Sequence, residues 1–331
     1  MARIAIIGAG LSGLVAARRL ASQHDVVVYE KSRGLGGRMA TRYAGEFEFK
    51  FEFDHGTQFF IARSSRFRQY LAPLIEAGVV ALWNARFLEI SHDGRSPMRT
   101  WDEEFPHYVG TPRMNAVGAW LAESLDIRKQ TRVTKLERQS SGWKLMGPSG
   151  ELIDKADWII LTAPAAQTAE LAPSDSVVHR HASTTQMSGC CALMLGLAVQ
   201  PELGFDAALV RDSDISWISV NSSKPGRGDA PTLVVHSTNA WAEANQDLAD
   251  QDVVDEMLAQ LASVTSLDTS SIVHRGLQRW RYANIPKQKG PDSLIDNDWS
   301  IAACGDWFIR GRVESAFRSA DALCRKLEIL L

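Results

Sequence analysis

The chain has 331 residues, more than one typical domain, and its 45% hydrophobic and 23% charged content is that of an ordinary globule. Its formal net charge is −3 with no polybasic tract, which argues against nucleic acid or an anionic membrane as a partner. The longest apolar runs, 158–161 and 189–199, are too short to span a bilayer, and the opening residues lack a signal-peptide layout, so a cytoplasmic location is expected.

Residues 3–7 read as an apolar strand that runs into Gly8-Ala9-Gly10-Leu11-Ser12-Gly13. A helical run over 14–20 and a second strand over 26–29 follow, closing on Glu30. Gly8 permits the tight turn, Gly10 lets a pyrophosphate approach the backbone, and Gly13 lets helix and strand pack closely. The helix start offers N–H groups and a positive dipole end to phosphates. Glu30 stands where a carboxylate receives two ribose hydroxyls. Strand, helix, second strand and acid are in register, so the chain is expected to bind a dinucleotide.

The next segment, Lys31 to Met39, carries Gly36-Gly37-Arg38, for which a simple NAD dehydrogenase has no need. In two-domain flavoproteins resembling the amine oxidases, this segment folds back over the pyrophosphate, with the arginine as a bidentate donor. Asp54-His55-Gly56-Thr57-Gln58-Phe59-Phe60 resembles the segment that passes the flavin ring in the same superfamily. FAD is therefore expected rather than NAD.

Further along, helices are expected over 65–77, 114–125 and 251–263, and strands over 83–90, 98–101, 132–136, 143–146 and 156–162. Strands over 190–199, 217–220, 233–238 and 275–282 suggest an antiparallel sheet. The fold class is α/β: a Rossmann-like FAD-binding domain of the glutathione reductase/amine oxidase type, with an inserted α+β substrate domain on an antiparallel sheet. The FAD-binding domain is expected to combine 1–62, 110–167 and 298–331, and the substrate domain 63–109 and 168–297. Cys190, Cys191, Cys304 and Cys324 show no ligand spacing, so neither a metal nor a structural disulfide is expected.

Near the end of the chain, Cys304-Gly305-Asp306 precedes a helix over 313–329. It resembles the closing motif of many FAD enzymes, where the aspartate holds a ribityl hydroxyl and the helix start faces the pyrimidine edge of the flavin. Reduced flavin is an anion, which a helix N-terminus stabilises. The expected cofactor contacts are Gly8, Gly10, Ser12, Gly13, Glu30, Lys31, Gly37, Arg38, Gly56, Gln58, Phe59, Val133, Gly305, Asp306 and Val313, holding FAD without a covalent bond.

With those termini, Leu233-Val234-Val235-His236-Ser237-Thr238 and Arg279-Trp280-Arg281-Tyr282 resemble the renalase family over nearly the whole chain. The resemblance implies an FAD-dependent oxidase of the 2- and 6-dihydro isomers of NAD(P)H, giving NAD(P)+ and passing two electrons to O2 to form H2O2. Aromatisation drives hydride loss, so the site needs a flat ring held at near-attack distance more than it needs acid–base groups. Amine oxidases generally place a lysine facing flavin N5 on a strand of the second domain, and the run 190–199 contains none. Candidate substrate-side residues are His236, Trp217, Asn221, Arg281 and Tyr282. A flavin amine oxidase and a non-catalytic FAD-binding protein are the competing readings.

Overall fold

The computed structural model describes residues 1–45, 50–104 and 106–331. Its packing divides the chain into two compact units, Met1–Met39 with Val117–Met187 and Asn284–Leu331, and Ala40–Ala116 with Ser188–Ala283. Among the described residues no helix is long and apolar enough to cross a membrane.

The first unit is built on a six-stranded sheet in the order Asp126–Lys129, Asp25–Glu30, Arg3–Ile7, Trp158–Leu161, Ile301–Ala303 and Leu294–Asp296. The first five run parallel and the last is antiparallel. The central strands are unbroken apolar runs because a parallel sheet is buried on both faces. Ile159, Leu161, Ile301 and Ala303 meet Trp143, Trp307 and Phe308 in one core. Trp143 comes from a small antiparallel sheet of Lys135–Arg138, Trp143–Met146 and Leu152–Ala156. The opening helix, Leu11–Leu20, packs beside the closing helix, Val313–Leu330. Arg19 pins the two, reaching Asp321 Oδ1 and Glu328 Oε2 at 2.6 Å each.

The second unit centres on a sheet ordered Ile272–Asn284, Ser188–Leu197, Thr232–Ser237, Ile215–Val220, Ala207–Val210 and Arg86–Ser91, with two short strands at its end. As expected, Thr232–Ser237 pairs antiparallel with both Ser188–Leu197 and Ile215–Val220, while Ala207–Val210 runs parallel to Arg86–Ser91. Side chains alternate between the faces of a strand. Leu193, Leu195, Leu233, Val235 and Ile218 face Val253, Met257 and Leu261 of the helix Asp250–Val264. On the other face Met194 and Val234 meet Phe51 and Phe53. His236 lies on that second face, with Ala192 and Trp217 as its partners across the two neighbouring strands.

The compact units cut the chain elsewhere than the expected domain boundaries. Segments 40–62 and 110–116 pack with the second unit, since Phe51 and Phe53 bury against its sheet. Segments 168–187 and 284–297 pack with the first. The reason is that Ala172, Val178 and Ala182 join the first core, and Leu294–Asp296 pairs with Ile301–Ala303 as an edge strand.

Candidate active site

In the first unit the glycines do separable jobs. Gly8 has φ +113°, and a Cβ there would meet Thr162 Oγ1 at 2.8 Å. A Cβ on Gly13 would lie 2.0 Å from the Gly8 carbonyl oxygen, so only glycine lets the helix start this close to the strand. A Cβ on Gly10 would meet no protein atom within 4 Å, which leaves a cradle over the helix start. That helix has no side-chain cap and no acid in its first turn, so its leading N–H groups suit a phosphate. The second glycine loop lies on the first, with Gly36 N–H donating to the Ala9 carbonyl at 2.9 Å and Gly37 at φ +58°. Gly118, missed in the sequence, has to be small because its Cβ would meet Gly36 Cα at 2.8 Å.

Glu30 is buried at the end of its strand, and its carboxylate accepts from the backbone N–H groups of Ala9 and Ser32, both at 2.8 Å. Those bonds hold the acid beside the glycine loop. Ser12 donates to the Ala316 carbonyl at 3.0 Å, joining the two helix starts. Lys31 is exposed and reaches Gln167 Oε1 at 3.0 Å, while Val133 is buried in the core beside Tyr29 and Trp143. Arg38 and Asp306 are brought together, Nη1 to Oδ2 at 2.9 Å. Gly305 N–H donates to Ser319 Oγ at 2.9 Å, a partner the sequence did not reveal. The helix beginning at Val313 has no side-chain cap. Two uncapped helix starts, a strand-end acid and an Arg–Asp pair fit a dinucleotide.

The second unit contains a buried polar cluster around Asp54. Its Oδ1 accepts from Thr41 Oγ1 at 2.7 Å and Met114 N–H at 3.1 Å, and its Oδ2 from Arg227 Nε at 3.2 Å and Lys224 Nζ at 3.5 Å. Burial pushes the Asp54 carboxyl up, but Lys224 and Arg227 outweigh it and hold the group below the ordinary carboxylate range. Burial lowers Lys224 to about 7, against the pull of Asp54. Lys224 Nζ also donates to Asn221 Oδ1 at 2.9 Å and Gln58 Oε1 at 3.1 Å, so its three N–H donors have three oxygens.

Gln58 is saturated within this unit. Its Oε1 accepts from Ser219 as well, at 2.8 Å, and its Nε2 donates to the carbonyls of Asp54 and Gly56. The expected flavin contact through this amide therefore has no donor left. Asn221, expected on the substrate side, is buried, donating to the Glu52 carbonyl at 2.9 Å and accepting from Lys224, and so braces the cluster. His236 Nε2 lies 3.3 Å from the His55 carbonyl oxygen, and burial lowers the ring's pKa to about 4. His55, also lowered to about 4 by burial, stacks on Trp280 at 5.1 Å, and Trp280 Nε1 donates to the His55 carbonyl at 2.9 Å. Trp217 Nε1 is buried with no acceptor among the described residues. Phe59 packs 5.4 Å from the Trp217 ring and 4.8 and 4.9 Å from the stacked pair Trp101 and His107.

Arg281 and Tyr282 cannot share a face, because successive residues of a strand point oppositely. Trp280 sits against His55 while Arg279 reaches Asp250 Oδ1 at 2.8 Å. Tyr282 falls on the side of Trp280, and the exposed Arg281 on the side of Arg279, away from His236. Lys224 and Arg227 were missed. Their signal is a pair of cations flanking Pro225-Gly226, one short turn after the strand Ile215–Val220.

Residues 6–74 match the NAD(P)-binding Rossmann-like domain, and residues 85–325 match the flavin containing amine oxidoreductases. A 38-residue stretch is 58% identical to the 4,4'-diapophytoene desaturase (4,4'-diaponeurosporene-forming) of Staphylococcus aureus (strain Newman), covering 11% of this chain and 8% of that protein's length. A candidate protoporphyrinogen oxidase from Exiguobacterium sp. 255-15 superposes with TM-score 0.77 at 13% identity, covering 99% of both chains. Wild-type putrescine oxidase bound to putrescine gives 0.70 at 14% identity over 99% of each chain. Reduced UDP-galactopyranose mutase gives 0.74 at 12% identity over 99% of this chain and 96% of that one. At these identities the likeness is one of fold, whereas the family match spans most of the chain: this protein belongs to the flavin containing amine oxidoreductase family, with FAD as the dinucleotide for which its first unit is built.

Proposed function

We propose that this FAD-dependent oxidoreductase oxidises the 2- and 6-dihydro isomers of NAD(P)H to NAD(P)+, consuming O2 and a proton and releasing H2O2. The observation that carries the proposal is that burial holds His236 neutral, with its pKa lowered to about 4, beside a set of uncharged rings. That ring is neutral at pH 7, its neighbours His55, Trp217 and Trp280 are uncharged at that pH, and Lys224 and Asp54 are committed to each other and to Gln58 and Asn221. A neutral dihydropyridine losing hydride to become aromatic needs a flat apolar contact and no base.

Bound FAD supplies the hydride acceptor and the electrons for O2. In the first unit, Gly8, Gly10, Gly13 and Gly37 would admit the pyrophosphate, Glu30 would receive ribose hydroxyls, and Arg38 and Asp306 would hold the middle of the cofactor. In the second, His236 and Trp217 would orient the substrate ring, with Tyr282 as a further contact. An amine substrate is the competing reading that the family match keeps in view. Against it, the strand Ser188–Leu197 carries no lysine and the ammonium of Lys224 has its three donors occupied. Anaerobic mixing with each class of reductant tests the proposal: rapid flavin reduction by the 2- or 6-dihydro isomers supports it, and reduction by amines alone refutes it.

A further inference from the structure

The hydrogen bonds around Gln58 decide which nitrogen of His236 carries the proton. Gln58 Oε1 accepts from the Ser219 hydroxyl at 2.8 Å and the Lys224 ammonium at 3.1 Å, which fixes the polarity of the amide. Its Nε2 then donates to the Asp54 carbonyl at 2.5 Å and the Gly56 carbonyl at 3.0 Å. A primary amide has two N–H donors, and both are spent. His236 Nε2 lies 3.4 Å from that amide nitrogen and 3.3 Å from the His55 carbonyl oxygen. With no proton on offer from Gln58 and a carbonyl beside it, Nε2 itself carries the hydrogen and donates to His55. Burial keeps the ring neutral at pH 7, so Nδ1 is a bare acceptor. Nδ1 takes no hydrogen bond among the described residues.

Across the strands from His236 stands Trp217, whose indole N–H is buried with no acceptor among the described residues. One sheet face thus carries a bare acceptor and an unanswered donor at paired positions. A primary carboxamide, with an N–H donor and an adjacent oxygen, answers both. A carboxylate lacks the donor and sets one acceptor against another, and an amine lacks the acceptor.

We infer that His236 is locked as the Nε2–H tautomer by the His55 carbonyl and the saturated Gln58 amide, and that its Nδ1 selects a neutral ring carboxamide over the corresponding carboxylate. His236 is then a specificity-determining residue. The carboxamide half rests on the dihydronicotinamide proposal; the tautomer half does not.

The test has two arms on the FAD-loaded protein. In ¹⁵N-histidine spectra at neutral pH, with His236 assigned by its loss in H236F, Nδ1 should be unprotonated and Nε2 protonated. In titrations followed by the flavin absorbance, NAD+ should bind about tenfold or more tighter than nicotinic acid adenine dinucleotide, and H236F should bring the ratio close to one. A proton on Nδ1, equal affinities in the wild type, or a ratio that H236F leaves unchanged would overturn the inference. If neither dinucleotide binds, the dihydronicotinamide proposal and the carboxamide half fail together, while the nitrogen spectrum still judges the tautomer.

Discussion

Arg38 and Asp306 lie 268 positions apart and meet in a two-pronged ion pair, with Nη1 2.9 Å from Oδ2. The arginine comes from the second glycine loop and the aspartate from the turn before the closing helix, so the pair ties together two motifs expected to hold one cofactor. Arg38→Ala leaves a buried carboxylate without this partner, at a cost of about 1–3 kcal/mol. The variant should purify with a lowered flavin-to-protein absorbance ratio and weaker FAD affinity, and Arg38→Lys should recover only part of it, since an ammonium lacks the planar fork. Full loading with unchanged affinity in Arg38→Ala would remove Arg38 from the cofactor site.

Gly10 and Gly13 separate binding from folding. A methyl group at Gly10 meets no protein atom within 4 Å, whereas one at Gly13 would lie 2.0 Å from the Gly8 carbonyl oxygen. Gly10→Ala should fold with the melting temperature of the FAD-free wild type yet load FAD poorly. Gly13→Ala should lose stability even without FAD. Thermal melts of the FAD-free proteins, paired with FAD titrations, check both, and a Gly10→Ala protein that loads normally would contradict the assignment of that cradle.

Lys224 should leave a mark on stability against pH. Its folded pKa of about 7 lies below its ordinary value of 10.5, so between those limits the unfolded chain binds more protons than the folded one. Stability contributed by this group therefore rises with pH across that window. Lys224→Met should flatten the rise from about pH 7 to about pH 10, read as urea midpoints at fixed ionic strength. Identical slopes in the two proteins would mean that Lys224 keeps an ordinary pKa.

The first unit was legible because its signals are local. The glycines of 8–13 follow one another at fixed spacing in a single turn, and Glu30 closes a strand whose register the apolar run already sets. The Asp54 cluster was not legible, since Lys224 and Arg227 reach it from 170 and 173 positions away with no period linking them. Asn221 was expected among the substrate-side residues, and nothing in the sequence announced that its buried amide accepts from Lys224. The Arg279-Trp280-Arg281-Tyr282 run revealed its alternation but not which side faced His55, and the Trp280 hydrogen bond decides that. The compact units differ from the expected domains where short helices such as Val177–Ser183 join the first core, through Val178 and Ala182, with no local motif to announce it.

Anaerobic stopped-flow reduction of the FAD-loaded protein tests the central claim most directly. The 2- and 6-dihydro isomers of NAD(P)H should bleach the flavin band rapidly and yield one peroxide per turnover on admission of air. Ordinary 4-dihydro NADH should be slower by about a hundredfold or more, because a reacting carbon misplaced by about 1 Å costs that much. Primary and secondary amines should leave the flavin oxidised. Rapid bleaching by an amine, with no response to either dihydro isomer, would contradict the account.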